Sequence, residues 1–155
     1  MYWKKPHISR VYEALTALAD GRIELVGNGA RCFSKSGEKV FDIKYDPNIG
    51  SIMSNDNVAY FAHSISYPMI GYLLLSGRVQ FDRKLLELLP NIYWEDIFQK
   101  YKNDYDKSLK FVMIELKNNG DDVDYISGEV RKVYDIICGM KIKTFGELQK
   151  PNRSR

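Results

Sequence analysis

Apolar and polar positions change period along the chain. From His7 to Asp20 the residues Ile8, Val11, Tyr12, Leu15 and Leu18 recur at three- and four-residue steps, which puts them on one face of a helix. Gly21 supplies the stop. The period then shortens. "RIELV", "ARCFSK" and "KVFDIKY" read as short strands separated by Gly27-Asn28-Gly29 and by Ser36-Gly37-Glu38, with Asn-Gly a strong hairpin signal. In the third of these Phe41, Ile43 and Tyr45 alternate with Asp42 and Lys44, so one face is buried and the other wet. "DPNIG" turns the chain into a further segment, "SIM".

Beyond residue 58 the pattern is helical. Pro68 belongs in the first turn of a helix that runs to about Ser76 and is closed by Gly77. A short helix is expected over Phe81 to Leu89, before Pro90. The longest element is expected from Tyr93 to Lys117, with Trp94, Ile97, Phe98, Tyr101, Tyr105, Leu109, Val112 and Leu116 on one stripe. A last helix, capped by Asp121 or Asp122, presents Val123, Ile126, Val130, Val133, Tyr134 and Ile137. The prediction is a single α+β domain over residues 1–140: a three- or four-stranded antiparallel meander packed against four or five helices, with 93–139 as a helical hairpin.

Charge changes this picture only at the end of the chain. Residues 141–155 carry five basic side chains and one glutamate, against 18 basic and 19 acidic in the first 140, so a flexible basic tail is expected. No N-terminal stretch has signal-peptide order, and the longest apolar run, interrupted by Gly71, is shorter than a membrane span. The expected location is the cytoplasm, with no membrane partner. Cys32 and Cys138 match no disulfide framework and read as reduced thiols.

"ARCFSKSGEKVFDIKYDPNIGSI" followed by "YPMIGYLLL" has the layout of a hairpin feeding an apolar helix, and over about residues 30–75 it resembles a SWIM-type zinc finger. That family places a Cys-x-Cys pair after the hairpin and a Cys-x-His pair at the helix start; the corresponding positions here are Ser54 and Asp56, then Ser66 and Pro68. Structural zinc is held by thiolate and imidazole, so the resemblance implies a degenerate finger without metal or other cofactor. It also implies binding to protein or DNA. Ser54, Asn55, Asp56 and Asn57 can bond to nearby backbone, and Ser66 can cap the following helix, so these five are read as a hydrogen-bonded corner.

Three function classes follow, in order. The first is a non-catalytic module for a protein partner or self-association; Phe111 and Ile114, on the polar side of the long helix, are its candidate interface. The second is nucleic-acid binding through Lys150, Arg153 and Arg155 of the tail and Arg31, Lys35, Lys39 and Lys44 of the hairpins. Lys100, Lys107, Lys110 and Lys117 share one helix face, but Asp96 and Asp106 stand four residues before Lys100 and Lys110 and favour local ion pairs. The third is a small hydrolase in which His63 works with Ser64 or Ser66 and Asp56; it lacks a nucleophile elbow and any phosphate loop.

Overall fold

The computed structural model describes residues 1–145 and 150–151. Helix α1 (Ser9–Ala19) leads into a meander of β1 (Ile23–Val26), β2 (Gly29–Phe33), β3 (Val40–Asp46) and β4 (Ser51–Ser54), all antiparallel neighbours in chain order. The first hairpin closes tightly, with Val26 opposite Gly29, and the second aligns Cys32 with Phe41 and Ala30 with Ile43. Gly29 is required where it stands. A Cβ there would come within 1.8 Å of the Ile43 carbonyl oxygen, so only glycine lets β2 approach β3 at this point.

A π-helical turn (Val58–Ala62) and α2 (Tyr67–Leu75) follow, then α3 (Leu85–Leu88), α4 (Trp94–Lys100), α5 (Tyr105–Asn118) and α6 (Val123–Gly139). The fold is α+β, with four strands, six α-helices and the π-helical turn among the described residues, more helices than the four or five expected. Helix α2 touches all four strands on one side and α1 on the other, and every residue from Pro68 to Leu74 is buried. That position explains a helix apolar all round its circumference. Beyond α1 lie α3, α5 and α6, the last presenting Ile126, Val130, Val133 and Ile137 to the core.

Polar bonds lock the layers. The Trp94 indole N–H donates to Thr16 Oγ1 at 2.9 Å, and that hydroxyl donates to the Leu89 carbonyl at 2.7 Å, tying α4 and the end of α3 to α1. Trp3 is buried, and its indole N–H donates to the Ile52 carbonyl of β4 at 2.8 Å.

Two expectations need correction. The stripe from Tyr93 to Lys117 is not one helix. Lys102 and Asn103 take positive φ of 53° and 63°, and the Asn103 N–H closes α4 on the Phe98 carbonyl at 2.7 Å. Asp104 then caps α5 by accepting from the Lys107 N–H at 3.1 Å. Asn tolerates the left-handed conformation and Asp is a strong N-cap, so the local signal to stop and restart overrides the aromatic period. The basic tail also starts later than residue 141. Ile142 is buried, Trp3 N–H donates to its carbonyl at 3.0 Å, and Ile52 N–H donates to the Lys143 carbonyl at 3.0 Å. This segment covers the outer edge of β4, whose unpaired backbone groups would otherwise face solvent. Residues 146–149 and 152–155, where the remainder of the tail was expected to be flexible, lie outside the described residues.

Candidate functional site

The corner after β4 is built from its own side chains. Asp56 is buried, and Oδ1 accepts from the Ala59 N–H at 2.8 Å while Oδ2 accepts from the Ser66 hydroxyl at 2.5 Å. Asn55 Oδ1 accepts from the Asp42 N–H at 2.9 Å, which fixes β3 to the same corner. Ser66 occupies the N-cap position of α2 with extended backbone, yet its hydroxyl serves Asp56 and caps no helical N–H. Ser54 is buried with its hydroxyl lacking a hydrogen-bond partner, and Asn57 precedes the π-helical turn without a side-chain bond to it. Among the four positions laid on the zinc-finger pattern, Asp56 and Ser66 are therefore joined directly.

The residue types of the hydrolase reading are not assembled around His63. Its ring is exposed and its backbone is left-handed, while the Ser64 hydroxyl turns to the carbonyls of Lys4 and Lys5 at 3.4 Å and that of Ser66 to Asp56. The other histidine has the contacts instead. His7 Nδ1 lies 2.8 Å from Ser9 Oγ and accepts the Ser9 N–H at 3.1 Å, and Nε2 lies 2.7 Å from Asp106 Oδ1. With Nδ1 accepting, the neutral ring carries its proton on Nε2 and donates it to Asp106. Ser9 is 0% exposed and the Asp106 side chain 90% exposed, the reverse of what an acyl-transfer nucleophile and its orienting acid need. The three residues fasten the start of α1 to α5. The same bond takes Asp106 away from the expected pairing with Lys110. Among the described residues no three His, Cys, Asp or Glu side chains come together as metal ligands.

Two concavities lie on either side of α4. The first is a cleft of about 350 Å³ between the second hairpin, the corner, α1 and α4. Its lining draws Arg10 and Glu13 from α1, Arg22 from just before β1, Lys35 and Lys39 from the β2–β3 connection, and Tyr67 from α2. Arg10 Nη1 donates to Glu13 Oε1 at 2.9 Å, and its guanidinium lies 5.2 Å from the Phe98 ring centroid and 4.8 Å from that of Tyr105. Burial pushes the Glu13 carboxyl above its usual range, with Arg10 pulling it back down. Burial likewise raises the Tyr67 hydroxyl well above the ordinary phenol range and the Cys32 thiol to about 12, which makes Cys32 an inert core residue. Of these groups Glu13 and Tyr67 line the one cavity, a convergence of perturbed groups that ligand and active sites share. Asp56 and Asn57 of the corner form part of the same wall.

The second concavity is a groove of about 520 Å³ between the segment 87–93 and α5. Its walls are apolar, with Leu88, Ile92, Tyr93, Ile97, Phe111 and Leu116, and its rim carries Glu87, Glu115 and Asp121. Among the described residues no lysine or arginine is part of its wall, and Lys35 Nζ stands 4.8 Å from the Tyr93 ring centroid. Tyr93 is 52% exposed. The break between α4 and α5 changes the place of the predicted pair: Phe111 is half-buried as a wall of the groove, beside Tyr101 with ring centroids 5.8 Å apart, while Ile114 is 51% exposed outside the groove lining. Lys100 Nζ sits 4.6 Å from the Phe111 centroid, where an ion pair with Asp96 was expected.

Two of the four hairpin cations proposed for nucleic acid, Arg31 and Lys35, are matched within the fold. Arg31 faces Glu24 at 3.8 Å and Asp42 at 3.6 Å, and Lys35 bonds Asp20 at 3.0 Å and Asn91 at 2.9 Å. Lys39 is half-buried in the cleft, and Lys44 and Lys150 are exposed. Arg153 and Arg155 lie outside the described residues. No helix among the described residues is long and apolar enough to cross a membrane.

Sequence reasoning missed the cleft. Its local signal on α1 was Glu13, a charge that interrupts the core face of that helix. No curated protein and no solved structure matches the chain. A family model does, over residues 3–143, so both concavities and the corner fall within it: the chain belongs to the family described as uncharacterised conserved protein UCP014422.

Proposed function

We propose that this domain is a non-catalytic protein-binding module that takes a short segment of a partner into the groove between residues 87–93 and α5. The observation that carries this reading is the pairing of an apolar floor with the three rim carboxylates Glu87, Glu115 and Asp121. Apolar walls supply burial for two or three anchor side chains, and an acidic rim selects a segment that carries lysine or arginine beside them. Half-exposed Tyr93 and half-buried Phe111 are the aromatic contacts such an interface uses. The bonded corner of Asp56 and Ser66 supports the likeness to a finger that has replaced its metal, a scaffold role that needs no chemistry of its own.

The reading is tested with a displayed library of random dodecapeptides and fluorescence polarisation on the enriched sequences. Enriched peptides should combine aliphatic or aromatic anchors with basic residues. Phe111→Ala and Glu115→Lys should each weaken binding by about tenfold or more, and the charge reversal should also flatten its salt dependence. If the pure protein is dimeric and Glu115→Lys makes it monomeric, the occupant is a second copy. Enrichment of acidic peptides, or binding indifferent to both substitutions, would sink the proposal.

A further inference from the structure

The cleft on the other side of α4 has donors that the fold leaves underused. Arg22 and Lys35 share one carboxylate: Asp20 Oδ2 is 3.0 Å from Lys35 Nζ but 3.5 Å from Arg22 Nε, and that buried Nε has no hydrogen-bond acceptor. Arg22 Nη1 donates to the Phe33 carbonyl at 2.8 Å, so the guanidinium is held in place while its charge is only partly matched. Lys39 reaches the same cavity from the hairpin, with its ammonium in no ion pair among the described residues. Tyr67 adds a desolvated hydroxyl that stands against Arg22 and the Cys32 thiol, and its ring meets Phe41 edge-on with centroids 6.4 Å apart.

We infer that this cleft binds a small monocarboxylate, its acid group between Arg22, Lys39 and the Tyr67 hydroxyl and its apolar body against the Phe41 and Tyr67 rings. Planar carboxylates match a guanidinium and a neighbouring ammonium as charge-assisted acceptors. The cavity's volume, about 350 Å³, lies at the small end for ligand pockets and suits a compact molecule. A dianion fits less well. Asp56 and Glu95 also line the cleft, so a second negative charge is repelled. Glu13 does not oppose the first one strongly, because Arg10 Nη1 already donates to it at 2.9 Å. The inference is independent of the groove: it concerns other residues and another class of ligand.

The test is titration of the isotope-labelled protein with benzoate, indole-3-acetate and octanoate, each beside its neutral amide, and with inorganic phosphate. At least one carboxylate should bind about tenfold more tightly than its amide, with amide-resonance shifts centred on Arg22, Lys39 and Tyr67. Lys39→Gln should weaken binding by about threefold to tenfold, and Glu115→Lys, in the groove, should leave it unchanged. Tyr67→Phe retains the ring and should lose the hydroxyl's share alone. Amides that bind as well as acids, phosphate that outcompetes every carboxylate, shifts that map elsewhere, or no carboxylate binding tighter than about 10 mM would each overturn the inference.

Discussion

Replacing Asp56 by alanine removes the acceptor that holds three elements at one point. The lost bonds are to the Ala59 N–H at 2.8 Å and the Ser66 hydroxyl at 2.5 Å, and all three residues are buried, so water cannot readily take the carboxylate's place. A bond to a charged acceptor is worth about 1.5–3 kcal/mol net, which gives about 3–6 kcal/mol for the two. Relief from burying the carboxylate itself returns a few kcal/mol. The expected net loss is about 2–4 kcal/mol, or roughly 4–16 °C in Tm at about 2–4 °C per kcal/mol for a domain of this size. Asp56→Asn keeps the acceptor for Ala59 and can offer its amide N–H to Ser66 Oγ, so it should cost only about 1 kcal/mol. Urea unfolding followed by tryptophan fluorescence measures all of these, together with Ser66→Ala and the double substitution. Since the two side chains share a bond, the double variant should fall short of additivity by about 1 kcal/mol or more. The reasoning fails if Asp56→Ala stays within about 0.5 kcal/mol of the parent, or if its effect adds fully to that of Ser66→Ala.

Two further outcomes are expected. Gly29→Ala forces a Cβ into the Ile43 carbonyl and should cost about 3 kcal/mol or prevent folding, whereas Gly128→Ala, in α6 with nothing within 4 Å of the added carbon, should stabilise by about 0.5–1 kcal/mol; thermal melts of the pair separate the two effects. Glu13, whose carboxyl burial raises above 4.5 in the folded protein, binds its proton more tightly folded than unfolded. That contribution is complete below about pH 4.5 and is lost as pH rises through the raised folded value. Stability of Glu13→Gln relative to the parent should therefore climb as pH rises above about 4.5 in urea titrations; a difference that stays flat or declines would refute the assignment.

Much of the fold was legible because local chemistry and tertiary placement agree. The strand at β3 and the Pro68-to-Gly77 bounds of α2 survive in the structure, while the first hairpin turns on Gly27-Asn28 rather than Asn28-Gly29, and of the β3 side chains only Ile43 is fully buried. The misread region, Tyr101 to Asp104, is one where two signals compete. Tyr101 and Tyr105 continue the apolar stripe, yet Asn103 and Asp104 carry the backbone preferences that end one helix and cap the next. Periodicity reports which face is buried, and a buried face can pass from one helix to another. The corner was readable in its residues but not in its bonding, since Ser66 could serve the helix or Asp56 and only packing decides between them. The cleft left only Glu13 as a trace. Its charged residues stand on separate elements from Arg10 to Glu95, and no spacing rule joins positions that meet only when the sheet closes over α2.

The strand-like pairing of the two ends of the described fold bears on how the domain forms during synthesis. Trp3 N–H bonds the Ile142 carbonyl, and Thr144 N–H bonds the Met1 carbonyl at 3.0 Å, so residues 1–3 find their partners far later in the chain, at residues 142–144. While the ribosome is still extending the chain, α1, the sheet and α2 can collapse, but the Trp3 side chain has no closed seat and the outer edge of β4 stays open. An open edge beside an unseated tryptophan is a place where a nascent chain can pair wrongly or recruit a chaperone. Ribosome-bound chains stalled before residue 142 has emerged should therefore remain protease-sensitive around Trp3, and release of the segment 142–144 should act as the clasp.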